Sequence, residues 1–133
     1  DGDNTLPQSG TNRDFCYSSG YEYWGKMESD GNVLSSGKKE TVLRSNKKKI
    51  KRDATYDMIV HYEVIQAKED SAAVFRVRNA QDEIIAEQEM PKDATEIRIR
   101  DVSVTQSMEW IRYRINAQKG SKIRIKSIET VAQ

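Results

Sequence analysis

From residue 56 onward the chain alternates apolar and polar side chains with a period of two, and that pattern restricts it to a sheet-built fold. Within residues 56–65, Tyr56, Met58, Val60, Tyr62 and Val64 share one parity, while Asp57, Ile59, His61 and Glu63 share the other. The same beat returns downstream. Phe75 and Val77 flank Arg76 and Arg78, and Ile97 and Ile99 adjoin Arg98 and Arg100. Ile111, Tyr113 and Ile115 interleave with Arg112 and Arg114, and Ile123 and Ile125 with Lys122, Arg124 and Lys126. Successive strand side chains point to opposite faces, so each run has one dry face and one wet face, and nine basic residues lie on the wet parity.

Strands are predicted near Val33 and Leu34, then over 40–45, 56–65, 72–78, 83–88, 95–100, 109–117 and 121–129. Gly, Asn, Asp and Ser mark the turns, with Lys119 and Gly120 before the last strand. Residues 80–90 contain good helix formers, but their apolar positions do not recur at helical spacing. That stretch is therefore predicted as one arm of a hairpin across Asn79, Ala80, Gln81 and Asp82, ending at Pro91. Eight or nine short strands with frequent turns predict an all-β chain, an antiparallel β-sandwich of jelly-roll type.

With 133 residues the chain has the size of one domain. Residues 1–14 are polar and rich in turn formers and read as a flexible leader or linker; 15–133 read as a single sandwich. The net charge of +1 is unevenly spread: 38–52 hold eight bases and one acid, and 53–133 hold twelve bases and fourteen acids. The chain is thus no general polyanion binder. Single copies of cysteine (Cys16) and histidine (His61) exclude an internal disulfide and a standard zinc site. No apolar run reaches the ~20 residues of a membrane span. No Asn-x-Ser/Thr acceptor is present, which favours a bacterial source. The chain opens at Asp1 rather than at methionine, as expected of a module trimmed from a longer protein.

Three stretches carry a resemblance. The first places Asp14 and Phe15 ahead of Gly20, Trp24 and the turn Ser29, Asp30, Gly31; the second is TYDMIVHYEV at 55–64; the third is GSKIRIKSIETV at 120–131, with its Ser127–Ile128 step. Together they resemble carbohydrate-binding modules of the galactose-binding-like jelly-roll type over most of residues 14–131. The chain departs from that pattern in lacking a middle-hairpin glycine and in its basic loop at 47–52. The resemblance implies a noncatalytic module that binds a glycan or polysaccharide. It also implies a parent enzyme or surface protein in cis and a secreted or cell-surface location.

Two groups of residues are candidates for the ligand site. Residues 15–24 hold five of the ten aromatics, Phe15, Tyr17, Tyr21, Tyr23 and Trp24. Such rings either pack the sandwich edge or form a platform on which the C–H face of a sugar stacks. Trp110 shares the wet parity with Arg112 and Arg114, where it would either stack a sugar or accept an arginine in a cation–π contact. The predicted site is Tyr21, Tyr23, Trp24 and Trp110 for stacking, with Arg112 and Arg114 for hydrogen bonds. The basic stripe could hold uronates or sulfates, because guanidinium matches their oxygens bidentately. Cross-strand pairing with Glu63, Glu83, Glu87, Glu96 and Glu109 is the simpler account of the stripe, and Trp110, Arg112 and Arg114 are the part it explains least well.

The run Lys47, Lys48, Lys49, Ile50, Lys51, Arg52 reads as a solvated loop, since no nucleic-acid fingerprint accompanies it. His61 beside Glu63 lacks a nucleophile or oxyanion element nearby in sequence, and the carboxylate pairs Glu69/Asp70 and Asp82/Glu83 fall at turns, so no catalytic residue is assigned. No cofactor is required. A structural calcium could be held by Asp1 and Asp3 or by Asp30 and Asn32. The alternative to glycan binding is a structural or adhesive accessory domain that makes protein–protein contacts.

Overall fold

In the computed structural model the described residues are 15–18, 22–25, 32–36, 41–45, 48–49, 54–104 and 110–132. They form eleven strands: β1 (Phe15–Ser18), β2 (Glu22–Gly25), β3 (Asn32–Ser35), β4 (Thr41–Ser45), β5 (Lys48–Lys49), β6 (Ala54–Gln66), β7 (Ser71–Asn79), β8 (Ile84–Pro91), β9 (Glu96–Val104), β10 (Trp110–Ala117) and β11 (Lys122–Ala132). All described pairings are antiparallel. One sheet runs β2-β1-β4-β10-β7-β8, with β5 also paired to β10, and the other runs β3-β11-β6-β9. The expected all-β sandwich is the fold observed. The hairpin across Asn79–Asp82 is present, with β7 and β8 paired antiparallel and the register shifted between Ser71 and Ala73 and between Val77 and Arg78.

The dry parities of both sheets meet in one core. Tyr56, Met58, Val60 and Tyr62 of β6 and Ile123, Ile125 and Ile128 of β11 pack against Phe75 and Val77 of β7 and Ile111, Tyr113 and Ile115 of β10. The Phe75 and Tyr113 rings lie 6.0 Å apart at a 30° tilt, within the range where aromatic pairs add to simple burial. Leu43 brings β4 into the same layer. A polar tie also joins the sheets: the Tyr62 hydroxyl donates to the Pro91 carbonyl at 2.8 Å. Burial pushes the Tyr62 phenol up to about 12, because the anion would lose its hydration there.

Register irregularities break the simple alternation in several places, and two of them fall at basic residues of the smaller sheet. Ile125 pairs with Tyr62 but Ser127 pairs with His61, so Lys126 is an extra residue in β11 and the dry parity passes from Ile125 to Ile128. In β9, Ile99 pairs with Met58 and Val102 with Tyr56, so Arg100 and Asp101 together face Asp57. Asp101 adopts φ 61° there, and its N–H donates to Asp57 Oδ1 at 3.2 Å. Such bulges shift which face a side chain occupies, which is why the parity expected at Lys126 and beyond Arg100 is not maintained. The basic run expected as loop is partly a strand, since Lys48 and Lys49 pair with Ile111 and Trp110.

Candidate functional site

The nine basic residues divide between the sheets. Arg98, Arg100, Lys122, Arg124 and Lys126 belong to β9 and β11 of the smaller sheet. Cross-strand pairing describes part of this group well: Arg124 Nε lies 3.2 Å from Glu63, and Arg98 lies 3.3 Å from Asp57. On the same sheet His61 Nε2 lies 2.6 Å from Glu129 and its Nδ1 3.8 Å from Glu96.

The larger sheet is different. Arg112 of β10 is the direct cross-strand partner of Arg78 of β7, and Arg114 is the partner of Arg76. On the other edge of β10, Arg114 also pairs with Arg44 of β4. Arg44, Arg114 and Arg76 therefore form a row over three adjacent strands, with Arg112 and Arg78 as a second row beside it. Neighbouring strands stand about 4.8 Å apart, and like charges directly opposite are destabilising. At the centre of this face the strand order thus sets arginine, rather than a carboxylate, directly opposite arginine.

Carboxylates hold the β7 side of the cluster. Glu87 of β8 pairs with Arg76. Asp82 lies 3.5 Å from Arg78 through its side chain, and its carbonyl accepts a hydrogen bond from Arg78 Nη1 at 2.9 Å. The turn that delivers Asp82 is built by Asn79, which is 2% exposed. Asn79 Oδ1 accepts from the N–H groups of Gln81 at 3.0 Å and Glu83 at 2.9 Å, and its amide donates to Glu83 Oε1 at 3.0 Å. With both turn N–H groups held, Asp82 adopts φ 62°, a left-handed conformation that aspartate tolerates better than most residues.

Between these elements lies a pocket of about 340 Å³ lined by Arg44, Arg78, Asp82, Trp110, Arg112 and Arg114. The Arg112 guanidinium sits 5.3 Å from the Trp110 ring centroid, a cation–π stack that presents an arginine plane beside the indole. Among the described residues Arg114 makes no ion pair, and its Nε is buried without a hydrogen bond. Burial first, then the charges of Arg78, Arg44 and Arg76, hold its pKa below the ordinary arginine value, with Asp82 opposing them. The site therefore concentrates positive charge in a partly dehydrated concavity beside an aromatic ring and one acceptor carboxylate.

Of the sequence-predicted residues, Trp110, Arg112 and Arg114 are brought together in this pocket. Tyr21 lies outside the described residues. Of Tyr23 and Trp24 only the backbone in β2 is described, opposite Tyr17 and Cys16. Cys16 is in turn opposite Arg44, so β2 continues the same sheet. Sequence reasoning did not select Arg44, Arg78 or Asp82 for the site. Arg44 carried a usable signal, the in–out step from Leu43, but nothing local reveals that β4 adjoins β10. A second concavity, of about 410 Å³, is lined by Glu69, Asp70, Ser71, Glu89 and Pro91. Among the described residues no group of three metal-ligating side chains converges; the expected calcium residues Asp1, Asp3 and Asp30 lie outside them.

No protein-family model matches the sequence, and no curated protein matches it. Solved structures do resemble it in three dimensions. One is the enzymatically active domain of tailspike protein 4 of bacteriophage CBA120, with TM-score 0.62 and 10% identity over 99% of this chain, which spans 19% of that one. Another is the xylan-binding module CBM86 of Roseburia intestinalis, with TM-score 0.54 and 13% identity over 98% of this chain and 94% of that one. A third is the C-terminal CBM6 of a laminarinase from Zobellia galactanivorans, with TM-score 0.53 and 12% identity over 97% and 98%. The chain thus shares the β-sandwich fold of carbohydrate-binding modules.

Proposed function

We propose that the chain is a noncatalytic glycan-binding module, carried in cis by a larger secreted or surface protein, and that it binds through the outer face of the larger sheet. The observation that carries this reading is the convergence of Trp110, Arg112 and Arg114 with Arg44, Arg78 and Asp82 in one pocket of about 340 Å³. That size lies within the range of small-ligand sites, and the pocket offers the three kinds of group a sugar uses. Indole and stacked guanidinium planes meet C–H faces, guanidinium N–H groups donate to oxygens, and Asp82 accepts from hydroxyls. The fold supports the reading, since the similar modules that cover nearly the same length include one described as xylan-binding.

The test is a panel of neutral and acidic polysaccharides followed by calorimetry and intrinsic tryptophan fluorescence. Binding of at least one polysaccharide, with a fluorescence change that Trp110→Ala removes, is the expected result. A protein that ignores the whole panel but binds another protein insensitively to sugar belongs to the accessory-domain class instead.

A further inference from the structure

Resting on that reading, we propose that the glycan is acidic. One sugar residue bearing a carboxylate or sulfate places its anion against Arg114 and the flanking guanidiniums of β4 and β7, with its ring beside Trp110 and a hydroxyl on Asp82. Four observations lead there. First, Arg44, Arg114 and Arg76 are consecutive cross-strand partners, and Arg112 and Arg78 repeat the arrangement one step along. An outward strand position accepts many polar residues, and like charges opposite one another weaken a sheet. An anion bridging them removes that repulsion.

Second, the carboxylates of Glu87 and Asp82 pair with Arg76 and Arg78, whereas Arg114, at the centre, makes no ion pair among the described residues; its Nε, like that of Arg78, is buried without a hydrogen bond. Third, the planar donors suit carboxylate and sulfate oxygens, which accept two parallel N–H groups from one guanidinium.

Fourth, the surroundings fit a sugar acid better than a phosphate chain. Asp82 lines the pocket, and it accepts hydroxyl protons that a phosphodiester backbone does not supply. Strand β8 adds Glu87 and Glu89, paired in register with Arg76 and Val74, so the positive surface is short and ends at an acidic border. The net charge of +1 gives no extended field of the kind that drives counterion release from nucleic acid.

The experiment compares polygalacturonate with its fully methyl-esterified form, which keeps the backbone and removes the charge. Alginate, chondroitin sulfate and a single-stranded oligothymidylate are further arms, and each titration is run at low and at raised salt. The expected result is binding of at least one of the acidic glycans that weakens with salt, with little binding of the esterified chain. Arg114→Gln then lowers affinity by about ten- to a hundredfold, the loss of one charge-assisted hydrogen-bonded contact. Arg114→Lys, which keeps the charge without the fork, falls between. Circular dichroism and thermal melts establish that both variants are folded. Chondroitin sulfate binding that its desulfated form loses assigns the anion as sulfate; binding of polygalacturonate or alginate, or of desulfated chondroitin, assigns carboxylate.

The inference is overturned if the esterified or another neutral glycan binds as well as the acidic ones, an outcome that leaves the glycan-binding reading standing. Failure of every carbohydrate sinks both. Tighter binding of oligothymidylate than of any glycan, or acidic binding unchanged in Arg114→Gln, overturns the inference as well.

Discussion

Arg114 of β10 and Arg76 of β7 face one another directly across two hydrogen-bonded strands, at a position where a carboxylate opposite an arginine would be the more stable pairing. Glu87 pairs with Arg76 from the far side, which offsets one charge and leaves Arg114 between Arg76 and Arg44. Half-buried arginines lay their stems along the sheet and keep their heads wet, so the cluster is tolerated. Tolerance of this kind is common where a binding site conflicts with stability.

Replacing Arg114 by Gln is expected to stabilise the free protein by about 0.2–1 kcal/mol, because it removes two cross-strand repulsions. For a domain of this size that raises Tm by roughly 1–4 °C. Thermal unfolding at low salt measures it, and the gain shrinks as salt screens the charges. In a Glu87→Gln background the gain is larger, since Arg76 is then uncompensated. A lower Tm for Arg114→Gln would mean that the arginine is a structural element.

Asn79→Ala is expected to destabilise by about 2–3 kcal/mol, because it strips the acceptor from two turn N–H groups at a site where the side chain is 2% exposed. Urea unfolding measures the loss. The same change frees the Asp82 turn and lowers affinity for the glycan, whereas Ala80→Ser in the same turn leaves both nearly unchanged.

Tyr62 makes stability fall at alkaline pH. Its phenol, ordinarily near 10.0, is pushed up to about 12 in the folded chain. Below pH 10 it is protonated in both states, and its contribution is complete. From pH 10 to about 12 the unfolded chain releases the proton and the folded chain keeps it, so stability declines as pH rises. The decline amounts to about 1–3 kcal/mol across that window. Tyr62→Phe, compared with the parent from pH 8 to pH 12 by denaturant titration, should lose about 1 kcal/mol at neutral pH with the Pro91 hydrogen bond and show a correspondingly flatter alkaline decline.

Gly120→Ala is expected to cost about 1–2 kcal/mol. Gly120 has φ 76°, and a Cβ there would sit 2.6 Å from Lys68 Cδ. The flexible lysine can move aside, so backbone strain dominates the cost. Adding Lys68→Ala should recover little of it, and a full recovery would assign the cost to the side chain.

Much of the fold was legible before any coordinates. The in–out parity of Tyr56 to Tyr62, of Phe75 and Val77, and of Ile111 to Ile115 depends only on strand geometry, and the buried residues match it except at Ile59, which is buried on the wet parity. The register shifts, among them the bulges at Lys126 and at Arg100–Asp101, escaped because an inserted residue is defined by the partner strand and leaves no local mark. The site was legible in part. Trp110, Arg112 and Arg114 stand close in sequence on one parity, so they had to share a face.

Outside the bulges, the sequence by itself determined most of which side chains face water and which face the core, because alternation is a property of each strand taken alone. Which wet residues become neighbours was decided by the tertiary structure. Strand order places β4 and β7 on either side of β10, and that choice is made by long-range packing of Leu43, Phe75, Val77, Tyr113 and Ile115 into one core. Charge counting found enough acids to pair every arginine, but pairing depends on register. On the smaller sheet register brings Glu63 to Arg124, and on the larger it brings Arg76 and Arg44 to Arg114.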